Sequence, residues 1–294
     1  MKDEFRFVFE TEDKLFPSKI TLKSKGKLLI LDKPWIMGIL NATPDSFYEK
    51  SRIADHLDLS MSRAAEMLTD GADILDIGGY STRPGAEEVS LEEELRRVLP
   101  VIEAIKKKFP ESLISIDTFR AEVARLGVLA GADFVNDISG GELDEAMLPT
   151  VAQLKVPYIC MHMRGNPKTM NSLVTYDDPV KEISKYFSRK LNQCKEVGIK
   201  DVLIDPGFGF AKTLEQNYWI LKNLSYFKYI NAPILVGVSR KSMIYTFLGI
   251  TPEEALNGTT ALHMFALLEG ANVLRVHDVK QAKETVNLYK QLQG

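Results

Sequence analysis

The chain has 294 residues, enough for two average domains or for one large α/β barrel of about 250 residues. Its composition, 45% hydrophobic and 26% charged, is that of a globular chain with a full-sized core, which excludes disorder and collagen-like structure. With 37 basic against 40 acidic residues the net charge is −3, so there is no general positive field for nucleic acid or an anionic membrane surface, and any anion must be held by a local cluster.

Cys160 and Cys194 are the only cysteines, too few for a disulfide framework and without the paired spacing of a zinc site. The first residues do not read as a secretory signal, and no apolar run reaches the roughly 18 residues that span a bilayer. A cytoplasmic protein with no membrane segment is expected.

In chain order, Phe5 to Glu10 and Lys27 to Leu31 read as short β segments separated by polar residues and Pro17. Residues 1–34 are therefore expected to form an N-terminal extension, a hairpin against the closed end of whatever follows. Eight apolar segments of strand length come next: Trp35 to Ala42, Ala72 to Gly79, Leu113 to Thr118, Asp133 to Ser139, Pro157 to Met163, Asp201 to Gly207, Pro233 to Ser239 and Ala271 to Asp278. Amphipathic stretches between them, such as Asp58 to Thr69, Leu91 to Phe109, Ala121 to Ala130, Val180 to Val197 and Asn257 to Glu269, read as crossover helices. Near-continuous runs such as ILVGV and DVLID suit parallel strands covered on both faces. The glycine fingerprint of a doubly wound nucleotide-binding sheet is absent after the first strand, which reads ILNATPDSF. The fold class expected for residues 35–294 is an eight-stranded parallel (β/α)8 TIM barrel.

In such a barrel the reactive groups sit at the C-terminal strand ends, around the open mouth. Those ends carry Asn41, Asp76, Asp117, Asn136, His162, Asp205, Ser239, Arg275 and His277. Side-chain alternation puts Ser115 with Asp117, Phe134 with Asn136, Leu203 with Asp205, and Arg275 with His277 on a common side. Each has a local alternative: Asp117 as a helix cap, Asn136 in an Asx turn, Arg275 paired with Asp278. Together, Asp117, Asn136 and Asp205 form a cluster that needs a cation or a ligand. Two carboxylates and an amide suit a flat heterocycle with an amide-like edge, a pterin or a purine, and Lys241 can donate to a ring carbonyl or imine nitrogen. Arg83, Arg275 and His277 can converge on phosphate oxygens, with Asn41 offering a neutral oxygen to a bridging magnesium ion, so a diphosphate is the natural guest.

Seven ordered motifs carry a family resemblance: ILNATPDSF (39–47), DIGGYSTRPGA (76–86), SIDTFRAEVA (115–124), NDISGG (136–141), MHMRGNPKTM (161–170), DPGFGFAKT (205–213) with GVSRKS (237–242), and RVHD (275–278). From Pro34 to Asp278 the chain resembles the dihydropteroate synthases, enzymes of folate biosynthesis. The resemblance implies a homodimer that joins p-aminobenzoate to 6-hydroxymethyl-7,8-dihydropterin diphosphate with loss of diphosphate. It places the pterin on Asp117, Asn136, Asp205 and Lys241 with Arg275 over the ring, and the diphosphate on Asn41, Arg83, Arg275 and His277 with magnesium near Asn41. p-Aminobenzoate falls to Thr82, Pro84, Phe210, Lys241 and Ser242. The chain departs from the family pattern in Tyr48 to Arg52, after the first strand, and in Tyr80, where a glutamate is common.

An SN1-like route follows, in which Arg83, Arg275, His277 and magnesium hold the leaving charge, Asp117 and Asp205 stabilise a pterin cation, and the arylamine attacks without a strong base. Three other readings share parts of this set: a methyl-transferring pterin barrel, an aldolase whose Lys241 forms a Schiff base with its pKa depressed by Arg240, and a barrel that only binds pterin. His263, on an apolar helix, reads as packed, as do Met161, Met163 and Met170, while His162 is expected to orient a loop.

Overall fold

A strand that is apolar on both faces is stable only where both faces are covered, and all eight runs become parallel strands inside a ring of helices. The computed structural model describes residues 20–42, 53–80 and 88–293. A hairpin, β1 (Ile20–Ser24) and β2 (Lys27–Leu31), precedes the barrel strands β3 (Trp35–Asn41), β4 (Ile74–Gly78), β5 (Leu113–Asp117), β6 (Phe134–Asp137), β7 (Tyr158–Met161), β8 (Val202–Asp205), β9 (Leu235–Val236) and β10 (Val273–Val276). Their order in the sheet is β8-β7-β6-β5-β4-β3-β10-β9. A parallel bridge between Ile204 and Ile234 brings the two edges together, reinforced by the Ile204 N–H donating to the Pro233 carbonyl at 2.9 Å.

The helices are α1 (Ile53–Asp70), α2 (Leu91–Lys108), α3 (Ala121–Ala130), α4 (Met147–Leu154), α5 (Pro179–Val197), α6 (Leu214–Lys222), α7 (Ser242–Leu248), α8 (Leu256–Leu268) and α9 (Val279–Gln293). Their ends are chemically marked. Ser90 caps α2, whose first turn carries Glu92, Glu93 and Glu94 and whose last turn carries Lys106, Lys107 and Lys108, as the helix dipole favours. Asp178 caps α5 ahead of Pro179, and Thr213 with Gln216 forms a capping box on α6. The strands end one or more residues inside the apolar runs, because residues such as Gly79, Ser139 and Gly207 already belong to the turns of the mouth.

Inside the barrel, side chains stack in layers. The lowest is apolar: Trp35, Met37, Ile74, Phe134, Ile159, Leu203, Leu235 and Val273, one or two from almost every strand, with Leu113 partly buried beside them. Leu22 and Leu31 of the hairpin join the same cluster, so the hairpin seals the closed end. Its two-residue turn has both residues at positive φ, Lys25 at 47° and Gly26 at 87°, the geometry that matches the twist of a tight hairpin. Polar contacts fix its position: Ser24 Oγ donates to the Asp133 carbonyl at 2.7 Å, and Lys25 Nζ pairs with the Asp133 carboxylate at 3.0 Å. The hairpin partner of Lys27–Leu31 is Ile20–Ser24; the Phe5 to Glu10 segment lies outside the described residues.

The plug is therefore part of the core and remote from the mouth. Leu22 is only 2% exposed, and Leu22→Ala should lower the unfolding free energy by about 2–5 kcal/mol in a urea titration while leaving kcat unchanged.

Candidate active site

The inward positions above the apolar layer are polar. Asp76 on β4, Asp117 at the end of β5, Asn136 on β6, Asp205 at the end of β8 and Arg275 on β10 all follow the alternation expected from the sequence. A low-dielectric interior penalises uncompensated carboxylates, and here the compensation is Arg275. Its Nε donates to Asp76 Oδ2 and its Nη2 to Asp117 Oδ2, both at 2.6 Å. Asn136 Nδ2 donates to the same Asp76 oxygen at 3.1 Å. Gly78, paired in register with Asp117, leaves room for that carboxylate: a Cβ there would stand 3.4 Å from Asp117 Oδ2.

The local alternatives for these residues resolve elsewhere. Asp117 is no helix cap, since α3 is capped at Arg120 without a side-chain bond. Asp137, not Asn136, makes the turn bonds, accepting from the Ser139 and Gly141 N–H groups at 2.7 Å each. Asp278 pairs with Arg240, at 2.8 and 2.9 Å, and not with Arg275.

The loop after β8 builds the second wall. Asp205 is 6% exposed and its Oδ1 accepts from the Gly207 N–H at 2.8 Å. Gly207 has φ +70°, and a Cβ there would meet the His162 carbonyl oxygen at 2.1 Å, so no side chain fits. Lys212, which sequence reasoning did not single out, is buried beneath this loop. Its Nζ donates to the Gly207 and Phe210 carbonyls at 2.9 Å each and lies 3.1 Å from His162 Nδ1. His162 thus orients a loop, as expected, through Lys212. Burial pushes the Lys212 ammonium well below its ordinary pKa, against the pull of Asp205, and burial likewise keeps His162 well below the usual imidazole range. The signal for Lys212 was present in DPGFGFAKT, but a lysine one residue before a helix cap reads as solvated until the loop is folded over it.

Lys241 precedes α7 and donates to the Phe208 carbonyl, with Nζ 4.5 Å from the centre of the Phe210 ring. Burial brings it down to about 8, offset by Asp205 and helped by Arg275. Arg240 does not supply that depression: its guanidinium is engaged by Asp278 and by the Pro252 and Glu253 carbonyls. Phe210 packs with Phe119 against Ile138, Met161, Met163, Met170 and Ala211, so the three methionines are packing residues of an apolar wall. Ser242 is exposed at the first position of α7. Asn41 stands half-buried at the end of β3. His277 follows β10, with Nδ1 3.2 Å from Ser239 Oγ, whose oxygen also accepts from the His277 N–H at 3.1 Å. His263 is buried on α8, drawn down to about 4 by desolvation. Thr82, Arg83 and Pro84 lie outside the described residues, as does the Tyr48 to Arg52 stretch. Tyr80 packs edge-to-face on Phe119 with ring centres 5.1 Å apart, an apolar role that a glutamate could not fill.

The mouth thus combines an acidic floor, one lysine beside an aromatic wall, and Arg275 on the last strand with His277 just after it. Residues 37–277 match the family model described as "Pterin binding enzyme". The dihydropteroate synthase of Escherichia coli K12 is 45% identical over 269 residues, covering 91% of this chain and 94% of that protein.

The chain belongs to the pterin-binding enzymes and, among them, to the dihydropteroate synthases.

Solved structures agree. A Xanthomonas albilineans dihydropteroate synthase with 4-aminobenzoic acid superposes with a TM-score of 0.87 at 38% identity, covering 94% of this chain and 99% of that one. A dihydropteroate synthase from Clostridium difficile, in the presence of pteroic acid, gives 0.84 at 36% identity, covering 89% and 97%. Among the described residues no helix is long and apolar enough to cross a membrane.

The dihydropteroate synthase floor carries a measurable titration. Burial raises Asp117 from 3.8 to about 7; Arg275 opposes this, and Asp76, Glu94 and Asp137 add to it. Because the folded value lies above the unfolded one, folding takes up a proton between these limits, and stability from this group is lost as pH rises from about 4 to about 7. Urea titrations at roughly pH 5 and pH 7.5 should show wild type losing stability toward the higher pH relative to Asp117→Asn; equal slopes for the two proteins would count against the raised carboxyl.

Proposed function

We propose that the mouth of this barrel condenses 6-hydroxymethyl-7,8-dihydropterin diphosphate with p-aminobenzoate, giving 7,8-dihydropteroate and diphosphate in folate biosynthesis. The chain is a transferase that moves an alkyl group, the pterin methylene, onto an arylamine. One observation carries this reading: the charges of Asp117, Asp205, Lys241 and Arg275 lie within mutual reach at the open end of one barrel, with Asn136 joined to the same group through Asp76. The relatives solved with 4-aminobenzoic acid and in the presence of pteroic acid support both substrates.

Asp117, Asn136 and Asp205 accept from the N–H groups of the pterin, and Lys241 donates to its ring carbonyl or imine nitrogen. The carbon–oxygen bond between methylene and diphosphate breaks first, and its electron pair leaves with the diphosphate. Arg275 and His277 hold that negative charge, together with Arg83. The positive charge left on the pterin methylene lies over Asp117 and Asp205, which are fixed before the reaction by Arg275 and by the Gly207 N–H. The neutral amine of p-aminobenzoate then forms the carbon–nitrogen bond and releases a proton to diphosphate or water. Phe210 flanks the arylamine ring, Lys241 and Ser242 meet its carboxylate, and Thr82 and Pro84 are the further p-aminobenzoate positions that the family resemblance implies. Arg275 serves both halves, which matches its position between the acidic floor and His277. No general base is required, and the Schiff-base alternative finds no counterpart among the relatives, which are named dihydropteroate synthases.

Magnesium suits this donor set. Among the described residues no group of three His, Cys, Asp or Glu side chains could hold a metal ion, and magnesium commonly takes one protein oxygen while phosphate and water oxygens complete its shell. Asn41, half-buried at the end of β3, would supply that oxygen, and a bound ion would offset the charge of the leaving diphosphate.

Two further parts of the reading concern assembly and place. Phe247 and Leu248 on α7 and Phe265 and Leu268 on α8 are 36–65% exposed, apolar surface that a homodimer built there would cover. Phe247→Asp combined with Leu268→Asp should convert a dimer to a monomer in sedimentation velocity; a wild-type monomer would remove this part. Buried free thiols at Cys160 and Cys194 suit the reducing cytoplasm.

The decisive assay is incubation of the purified protein with magnesium, the pterin diphosphate and p-aminobenzoate, followed by detection of dihydropteroate and free diphosphate. Asp205→Ala should abolish pterin binding and turnover. Wild-type protein that releases no diphosphate, or a variant with wild-type turnover, overturns the assignment.

A further inference from the structure

Asp76 was visible in the sequence as one more strand-end carboxylate and has no part in the substrate assignments above. It is fully buried and touches two residues that do. Its Oδ2 accepts from Arg275 Nε at 2.6 Å and from Asn136 Nδ2 at 3.1 Å. Three strands, β4, β6 and β10, are joined through this single oxygen.

The chemistry of the pair decides what Asn136 can show a ligand. An oxygen that already accepts from the Arg275 guanidinium offers the amide an acceptor, so Nδ2 turns toward it and Oδ1 is left on the other branch of the fork. Among the described residues nothing donates to that Oδ1. Asn136 is therefore held as an acceptor for an incoming N–H, the polarity that complements a ring edge bearing donors. The second contact acts on Arg275. Nε is bound by Asp76 and Nη2 by Asp117, so two of the five guanidinium N–H bonds are fixed and the plane of the group is set. Asp117 alone would leave the group free to pivot about one contact. The other oxygen of Asp76, Oδ1, has no partner among the described residues, nor does Ser115 Oγ on the residue paired with it in register. Asp76 is thus under no other constraint there: its one engaged oxygen serves only the two site residues.

We propose that Asp76 is a positioning residue that locks the Asn136 amide as an acceptor and fixes the plane of Arg275, and thereby selects the donor-bearing edge of the pterin. It does not touch substrate. The inference rests on the dihydropteroate synthase reading and names what enforces specificity within it.

The test uses Asp76→Asn, which keeps the shape but offers N–H groups where only an acceptor stood, so Asn136 can flip and Arg275 loses its anchor. The KM for pterin diphosphate, and its Kd by titration without p-aminobenzoate, should rise about ten- to a hundredfold, the range of a lost charged hydrogen bond. The KM for p-aminobenzoate should stay within about twofold. Ser115→Ala, which alters the neighbouring inward position without contacting Asn136 or Arg275, should leave both constants unchanged. If Asp76→Asn does not fold by circular dichroism, Asp76→Glu, which retains the charge but displaces it by one methylene, should give the same split. An unchanged pterin KM, equal losses for both substrates, or an equal effect in Ser115→Ala overturns the proposal. Wild-type protein run in the same assay reports on the reaction itself, so a failure of the dihydropteroate synthase reading is distinguishable from a failure of the role given to Asp76.

Discussion

One guanidinium shared between a buried and a half-buried carboxylate is the constraint on which the mouth of this barrel depends. Two carboxylates on neighbouring inward positions repel one another and lose their hydration, a cost that a nearby cation offsets. Arg275, two strands away from Asp76 in the sheet, supplies the charge to both. Asp117 keeps a pKa near neutrality even so, because its burial outweighs the pull of Arg275. The floor thus carries a carboxyl that titrates near neutrality beside a fixed guanidinium.

The layers beneath separate stability from chemistry. The apolar layer and the hairpin plug carry the packing, and the inward positions above them are free to be polar. Between the two stands the loop after β8, where Lys212 gathers carbonyls from Gly207 and Phe210. Three of its residues, Gly207, Gly209 and Ala211, lie at positive φ. Ala211 carries a steric penalty there that a glycine would not, and Lys212 Nζ donates to the Phe210 carbonyl just before it at 2.9 Å.

Much of this architecture is legible in the amino-acid sequence. Alternating apolar and amphipathic stretches specify a parallel (β/α)8 barrel because each strand must be buried on both sides, and the period-two rule places Asp117, Asn136, Asp205 and Arg275 on the inner face. The pairing of those residues is not legible. Arg275 has an acidic neighbour three positions on, Asp278, and sequence proximity suggests that pair, yet successive inward and outward positions of β10 and its turn send the two to opposite sides. Asp278 goes to Arg240, and Arg275 to acids 199 and 158 residues earlier in the chain. Lys212 is invisible for a related reason: a lysine is buried only when several carbonyls converge on it, and convergence is a property of the folded loop. Among the first residues, Lys27 to Leu31 is recognisable as a strand, but its partner Ile20–Ser24 carries a lysine and a serine that weaken the apolar signal.

The pairing of Arg240 with Asp278 has its own consequence. These residues lie immediately beside Lys241 on one loop and His277 on the other, and their two-pronged bond ties the loops after β9 and β10 into one frame. In the reading proposed above Lys241 would meet the ring and His277 the departing tail, so a clamp that touches neither would set the spacing between the two subsites. Loosening it would leave each subsite chemically intact while detuning their separation, a defect felt in the span of the substrate and not in the recognition of either part.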